Sequence, residues 1–106
     1  MTKPGKFIAL ALIGISTFAV SATSAFAADA AAGKAKAAVC GGCHGADGIS
    51  MSPDIPNLKG QKEVYLKKAI GDYKSGMRKN PIMASMVGNL SDADAADIAA
   101  YFSSLK

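Results

Sequence analysis

The sequence has no tryptophan, one histidine (His44) and two cysteines (Cys40 and Cys43). Three possible zinc ligands of these types fall short of the four a structural zinc site takes, so such a site would need a second chain. No stretch alternates apolar and polar residues as a half-buried strand does, which argues against a β-rich fold, and the strand–helix–strand setting of a thioredoxin-like Cys pair is missing. No internal repeat and no Ser–His–Asp grouping is visible. Asp92, Asp94 and Asp97 suit a helix start better than acid–base chemistry, so no enzymatic activity is expected.

The longest apolar stretch lies at the start. Lys3 and Lys6 precede a largely apolar run from Phe7 to Val20, and Ala25-Phe26-Ala27 offers the small residues that signal peptidase accepts. The run is shorter than the roughly 20 residues of a spanning helix. Residues 1–27 therefore read as a cleaved Sec-type signal peptide, residues 28–106 as the one mature domain and the periplasm as its location, with no stable membrane span after cleavage. The whole chain carries 12 Lys and Arg against eight Asp and Glu. Loss of Lys3 and Lys6 lowers its net charge from +4 to +2, which removes the main support for nucleic-acid binding.

The 79 residues left of the 106 are rich in Ala and Gly and thin in bulky apolar side chains. A domain this small rarely gains comfortable stability from its core alone, and a cofactor held only by the native state supplies what is missing.

Ala30 to Cys40 has high helix propensity and is expected to form a short helix that delivers Cys40. Gly45 to Gly60, with Pro53 and Pro56 among its glycines, is expected to be a long loop. Gln61 to Ser75 spaces Val64, Leu66, Ala69, Ile70 and Tyr73 as one helical face, with Gly76 as its stop. Met77 to Leu90 reads as a second loop with at most a short helical turn. Ser91 then caps a final helix carrying Ala95, Ile98, Phe102 and Leu105 on one side.

Cys40-Gly41-Gly42-Cys43-His44 is the stretch that carries chemistry. Positions i, i+3 and i+4 share one face of a helical turn, so both thiols and the imidazole can address one flat partner. The thiols suit addition to haem vinyl groups while the adjacent histidine reaches the iron. A plain disulfide is chemically permissible after export but leaves His44 without a role.

The mature chain resembles the class I cytochromes c, in particular the bacterial periplasmic c4 and c553 type. The resemblance rests on that motif, on Ile55-Pro56-Asn57-Leu58-Lys59-Gly60-Gln61, on Lys79-Asn80-Pro81-Ile82-Met83 and on Leu90-Ser91-Asp92 to Ala100-Tyr101-Phe102. It covers nearly all of residues 30 to 105. It implies an all-α fold of about three to five short helices around one covalent haem c, with the first and last helices crossing near Gly33 and Tyr101. It also implies that the Pro56 carbonyl holds His44 and that a methionine is the sixth iron ligand. Position within the resembling segment favours Met83, and Met86 stays as the alternative.

Two thioethers and His/Met ligation fit a carrier that moves single electrons between redox partners. Alternatives are the haem subunit of a larger periplasmic dehydrogenase and a ligand-binding haem protein with an open iron. Seven Lys or Arg lie between Lys59 and Lys79 against Glu63 and Asp72, a positive rim suited to an acidic redox partner.

Overall fold

The computed structural model describes residues 1–5, 9, 11–17 and 27–106. Parts of the apolar run, and Ala25 and Phe26 of the cleavage signal, lie outside the described residues. No helix among the described residues is long and apolar enough to cross a membrane, and none of those residues forms a strand.

Five α-helices follow in order among the described residues: α1 (Ala30–Lys36), α2 (Gly41–His44), α3 (Glu63–Ser75), α4 (Pro81–Val87) and α5 (Asp92–Ser104). The Asp29 carboxylate starts α1 by accepting from the Ala31 and Ala32 amides. The short helix expected to deliver Cys40 tightens after Lys36 into a 3₁₀ turn over Ala37–Val39. Cys40 keeps right-handed helical dihedrals and opens α2, so the chain stays coiled while its direction changes.

The core is a small cluster of Ala37, Leu66, Ile98, Ala99 and Phe102, with Leu58, Ile70, Leu90, Tyr101 and Leu105 packed around it. It is formed chiefly by α5 against α1 and α3. The predicted α3 face is corrected at one position. Leu66 is buried, but Val64 is 83 % exposed, because the stripe that turns inward runs through Leu66, Ile70 and Tyr73 at helical spacing.

The first and last helices cross with their backbones in contact. A Cβ on the buried Gly33 would overlap the Asp97 carbonyl and fall 3.0 Å from the Ile98 amide nitrogen. The close approach is thus one turn before Tyr101, whose ring packs instead beside Phe102, centroids 5.0 Å apart.

Charges clamp the same crossing. The Asp29 amide donates to Asp97 at 2.8 Å, and the Lys36 ammonium bridges Asp94 and Asp97 at 2.7 Å each. The Lys36 hydrogen bond, aided by the Ser91 amide, holds the Asp94 carboxyl down at about 2. Asp97 is lowered first by the Asp29 amide and then by Lys36. Lys36 is raised in turn by Asp94 and then Asp97. Ser91 and Asp94 complete a reciprocal capping box at the start of α5.

The segment expected as a second loop holds seven helical residues as α4. Asn80 accepts from the Ile82 and Met83 amides at 3.1 and 3.0 Å, and Pro81 occupies the first helical position. An Asn-Pro pair is a helix start because the side chain serves the orphan amides and proline has no amide to orphan.

Two expected outcomes follow from the crossing. Gly33→Ala forces α1 away from α5 and lowers the unfolding free energy by about 1–3 kcal/mol, as overpacking does, which chemical denaturation of the holoprotein measures. Depressed carboxylates stabilise the fold above their ordinary value of 3.8 and lose that contribution as pH falls toward about 2. The melting temperature should therefore drop between about pH 4 and pH 2. Asp94→Asn should make that drop shallower, and an unchanged slope would rule the clamp out as its source.

Candidate functional site

A cavity of about 460 Å³ opens beside the core, within the size range of pockets that take cofactors. Its lining is mainly apolar and draws on all five helices and the long loop: Lys36 from α1, Cys43 and His44 from α2 with Cys40 just before it, Ile55 to Leu58 from the loop, Leu66 and Ile70 from α3, Met83 and Met86 from α4, and Ile98 from α5.

Gly41 to His44 forms a single helical turn because Cys40 accepts from both the Cys43 amide (3.2 Å) and the His44 amide (2.9 Å). This turn brings both sulfurs and the imidazole to the one cavity, as the i, i+3, i+4 spacing predicts. Gly45 then leaves the helix at φ 87°, where any Cβ would overlap the Ile49 carbonyl. The sharp exit sends the chain into the loop immediately after the histidine.

The loop is organised by its own hydrogen bonds. The Gly48 carbonyl accepts from the Leu58 and Lys59 amides at 2.7 and 3.0 Å, and Asn57 accepts from the Ser50 amide at 2.7 Å. Gly60 donates to the Phe102 carbonyl at 2.9 Å, which anchors the loop's end on α5. Held this way, the Pro56 carbonyl lies 2.8 Å from Nδ1 of His44. His44 is the one buried polar side chain among the described residues, at 7 % exposure. Nδ1 donates to Pro56, and Nε2 is left as the nitrogen able to bind a metal.

Cys40 and Cys43 are both free thiols, the first half-buried and the second exposed. Burial pushes the Cys40 thiol above its ordinary value despite a backbone hydrogen bond that opposes the shift. No three His, Cys, Asp or Glu side chains among the described residues converge to hold a bare metal ion. The donor set is instead one imidazole nitrogen, two thiols and methionine sulfur around an apolar space. That set fits a haem: the thiols could take its vinyl groups, His44 and a thioether could ligate its iron, and the hydrocarbon walls could hold the ring.

Of the methionines, Met51 is fully exposed and Met77 is 79 % exposed, and neither lines the cavity. Met83 and Met86 both do, one helical turn apart on α4. Met83 is half-buried and Met86 is 39 % exposed. Sequence reasoning did not single out Tyr65, Tyr73 or Arg78 as site residues, although all three line the cavity. Two tyrosines on one helix and the chain's one arginine were the signal available.

The cytochrome c family profile matches residues 30–106. Cytochrome c4 of Pseudomonas aeruginosa is 56 % identical over 68 residues, covering 64 % of this chain and 34 % of that protein. Cytochrome c-554(548) of Halomonas halodenitrificans is 49 % identical over 68 residues, 61 % of this chain and 82 % of that protein. The crystal structure of reduced recombinant cytochrome c4 from Pseudomonas stutzeri superposes with a TM-score of 0.72 at 50 % identity, covering 76 % of this chain and 47 % of that one. The chain thus spans about a third of the length of the Pseudomonas aeruginosa relative. With the profile matching from α1 to the C-terminus and the helices arranged as in a solved c4, the chain belongs to the cytochrome c family.

Proposed function

We propose that this protein carries one electron at a time in the periplasm, on a single haem c bound through thioethers at Cys40 and Cys43 and ligated by His44 and Met83. The observation that carries the reading is the buried imidazole of His44, fixed by the Pro56 carbonyl at 2.8 Å, in a cavity it shares with Cys40, Cys43 and Met83. The chain's two cysteines suffice for one covalent haem.

When bound, the group supplies an iron that alternates between its ferrous and ferric states. The chain's part is to hold it still and dry. His44 keeps one tautomer because Nδ1 is committed to Pro56, which fixes the ring's orientation and raises its basicity as a ligand. Met83 supplies the soft sulfur donor that, paired with histidine, raises the reduction potential. Half-burial and the Asn80 cap, which rigidifies the first turn of α4, favour Met83 over the more exposed Met86. If His44 and Met83 both ligate the iron, no coordination site would stay open for a substrate, and the group would supply electron transfer rather than transformation of a bound molecule.

Export is supported by Lys3, Lys6, the apolar run and the Ala25-Phe26-Ala27 processing signal. The redox partner is proposed to be acidic. Lys62, Lys67, Lys68, Lys74 and Lys79 are exposed along and beyond α3, and Lys68 is partly offset by an ion pair with Asp72. Such a rim accelerates encounter more than it tightens the complex.

The decisive test is the absorption spectrum of holoprotein purified from cells able to mature haem c. The polypeptide should carry one haem in covalent mass. Met83→Ala should abolish the sulfur-to-iron charge-transfer band, while Met86→Ala retains it. The reverse pattern would assign the ligand to Met86, and a bare polypeptide mass would refute the whole reading. In stopped-flow reduction by an acidic partner, the rate should fall about tenfold or more from low to physiological ionic strength. A flat salt response would remove the acidic partner.

A further inference from the structure

A second recess, of about 390 Å³, is lined by Ala27 to Asp29 ahead of α1, by Asp92 and Asp97 of α5 and by Lys67 of α3. It shares no lining residue with the cavity of Cys40 and His44. The Ala27–Ala28 bond in its wall is the one that the processing signal marks for cleavage.

The charges around this recess do not balance. Asp29, Asp92 and Asp97 line it against Lys67, and the adjoining clamp adds Asp94 and Lys36. Four carboxylates thus meet two ammonium groups. The starts of α1 and α5 offset at most about half a charge each, so the region stays net negative. Asp29 spends its side chain on the Ala31 and Ala32 amides, and Asp97 accepts from the Asp29 amide and from Lys36 on separate oxygens. Asp92 is exposed and in no ion pair among the described residues.

The chain sets a backbone nitrogen beside these carboxylates. The Asp29 nitrogen is 2.8 Å from Oδ1 of Asp97, and the Ala28 nitrogen lies one residue, less than about 4 Å, before it. In the uncleaved chain that nitrogen is a neutral amide. Hydrolysis of the Ala27–Ala28 peptide bond consumes one water, leaving a carboxylate on the signal peptide and an ammonium on Ala28.

We infer that this ammonium pairs with Asp92 and Asp97, so that removal of the signal peptide adds a charge to the α1–α5 clamp that positions Cys40 and His44. The inference rests on the signal-peptide reading above and does not depend on the haem. Nearby carboxylates favour the charged amine, which keeps its proton to a pH above about 8, the ordinary value of an α-amino group. A group raised in this way stabilises the fold in full below its ordinary value and loses that contribution as pH rises through the raised one.

The test uses mature holoprotein. Mass spectrometry first locates the N-terminus, and a start elsewhere than Ala28 strikes the signal-peptide reading beneath. The α-amine, labelled by reductive methylation with isotopically enriched formaldehyde, is then titrated by carbon NMR in wild type, Asp92→Asn and Asp47→Asn. The last is a control that alters an exposed carboxylate outside the recess. The wild-type midpoint should lie about one pH unit, tenfold in proton affinity, above that of the same amine in a short unfolded peptide of residues 28–32. Asp92→Asn should lose most of that shift, and Asp47→Asn should keep it. A midpoint equal to the peptide's, or one that Asp92→Asn leaves unchanged, overturns the inference. Melting of unlabelled protein gives an independent readout. The gap between wild type and Asp92→Asn should narrow as pH rises from about 8 to about 10, and a constant gap overturns the pairing as well.

Discussion

The backbone contact between α1 at Gly33 and α5 at Asp97 and Ile98 sets the position of every other part of the site. Helices meeting through side chains stand about 8–10 Å apart, whereas a glycine lets the two backbones touch. That closeness brings Ala37 and Cys40, one and two turns further along, onto the face of α5 that carries Ile98, Ala99 and Phe102. The Asp29–Asp97 and Lys36–Asp94–Asp97 contacts lock the rotation of the pair. From that fixed start the 3₁₀ turn aims the thiols and His44 into the cavity.

The small core makes the cavity part of the fold's stability. Among the described residues, four of the eight buried apolar ones are alanines, and Phe102 is the one large side chain that is fully enclosed. Leu66 and Ile98 belong to this core and also line the cavity, so a hydrophobic ring seated there would extend the apolar cluster. Binding that favours only the native state would add to its stability by mass action, and covalent attachment would keep the ligand from leaving. Cofactor retention and folding are thus one problem for this chain, solved by the same few side chains.

Two kinds of positioning meet at the proposed iron site. His44 is held by a loop that has little regular structure yet is closed by the Gly48, Asn57 and Gly60 hydrogen bonds. Met83 is held by a short helix whose start is fixed by Asn80. Two donors held in these ways would keep a coordination shell similar in both oxidation states, which suits electron transfer better than bond-making. Around it, the exposed lysines of α3 act at long range, while Arg78 borders the cavity.

Much of this was written in local sequence. The i, i+3, i+4 spacing of Cys40, Cys43 and His44 depends on one helical turn, Ser91 with Asp94 is a self-contained helix start, and Gly76 ends α3 by its own left-handed dihedral. The α4 start at Asn80-Pro81 is equally local, but the proline and glycine of that segment also suit a loop, and it is the Asn80 cap that makes it a helix. Other features had no local expression. Val64 and Leu66 are both apolar residues of α3, and only the position of α5 decided that Leu66 is buried while Val64 faces water. Likewise Gly33 meets Asp97 across 64 positions of chain, and Arg78 reaches the cavity only because α3 ends beside it. The sequence by itself determined the chemistry of the motif and the helices that bear it, since both depend on neighbours within a turn or two. Which faces meet, which methionine is half-buried and which cation borders the cavity were decided by tertiary structure, because those depend on distances between segments that no local spacing specifies.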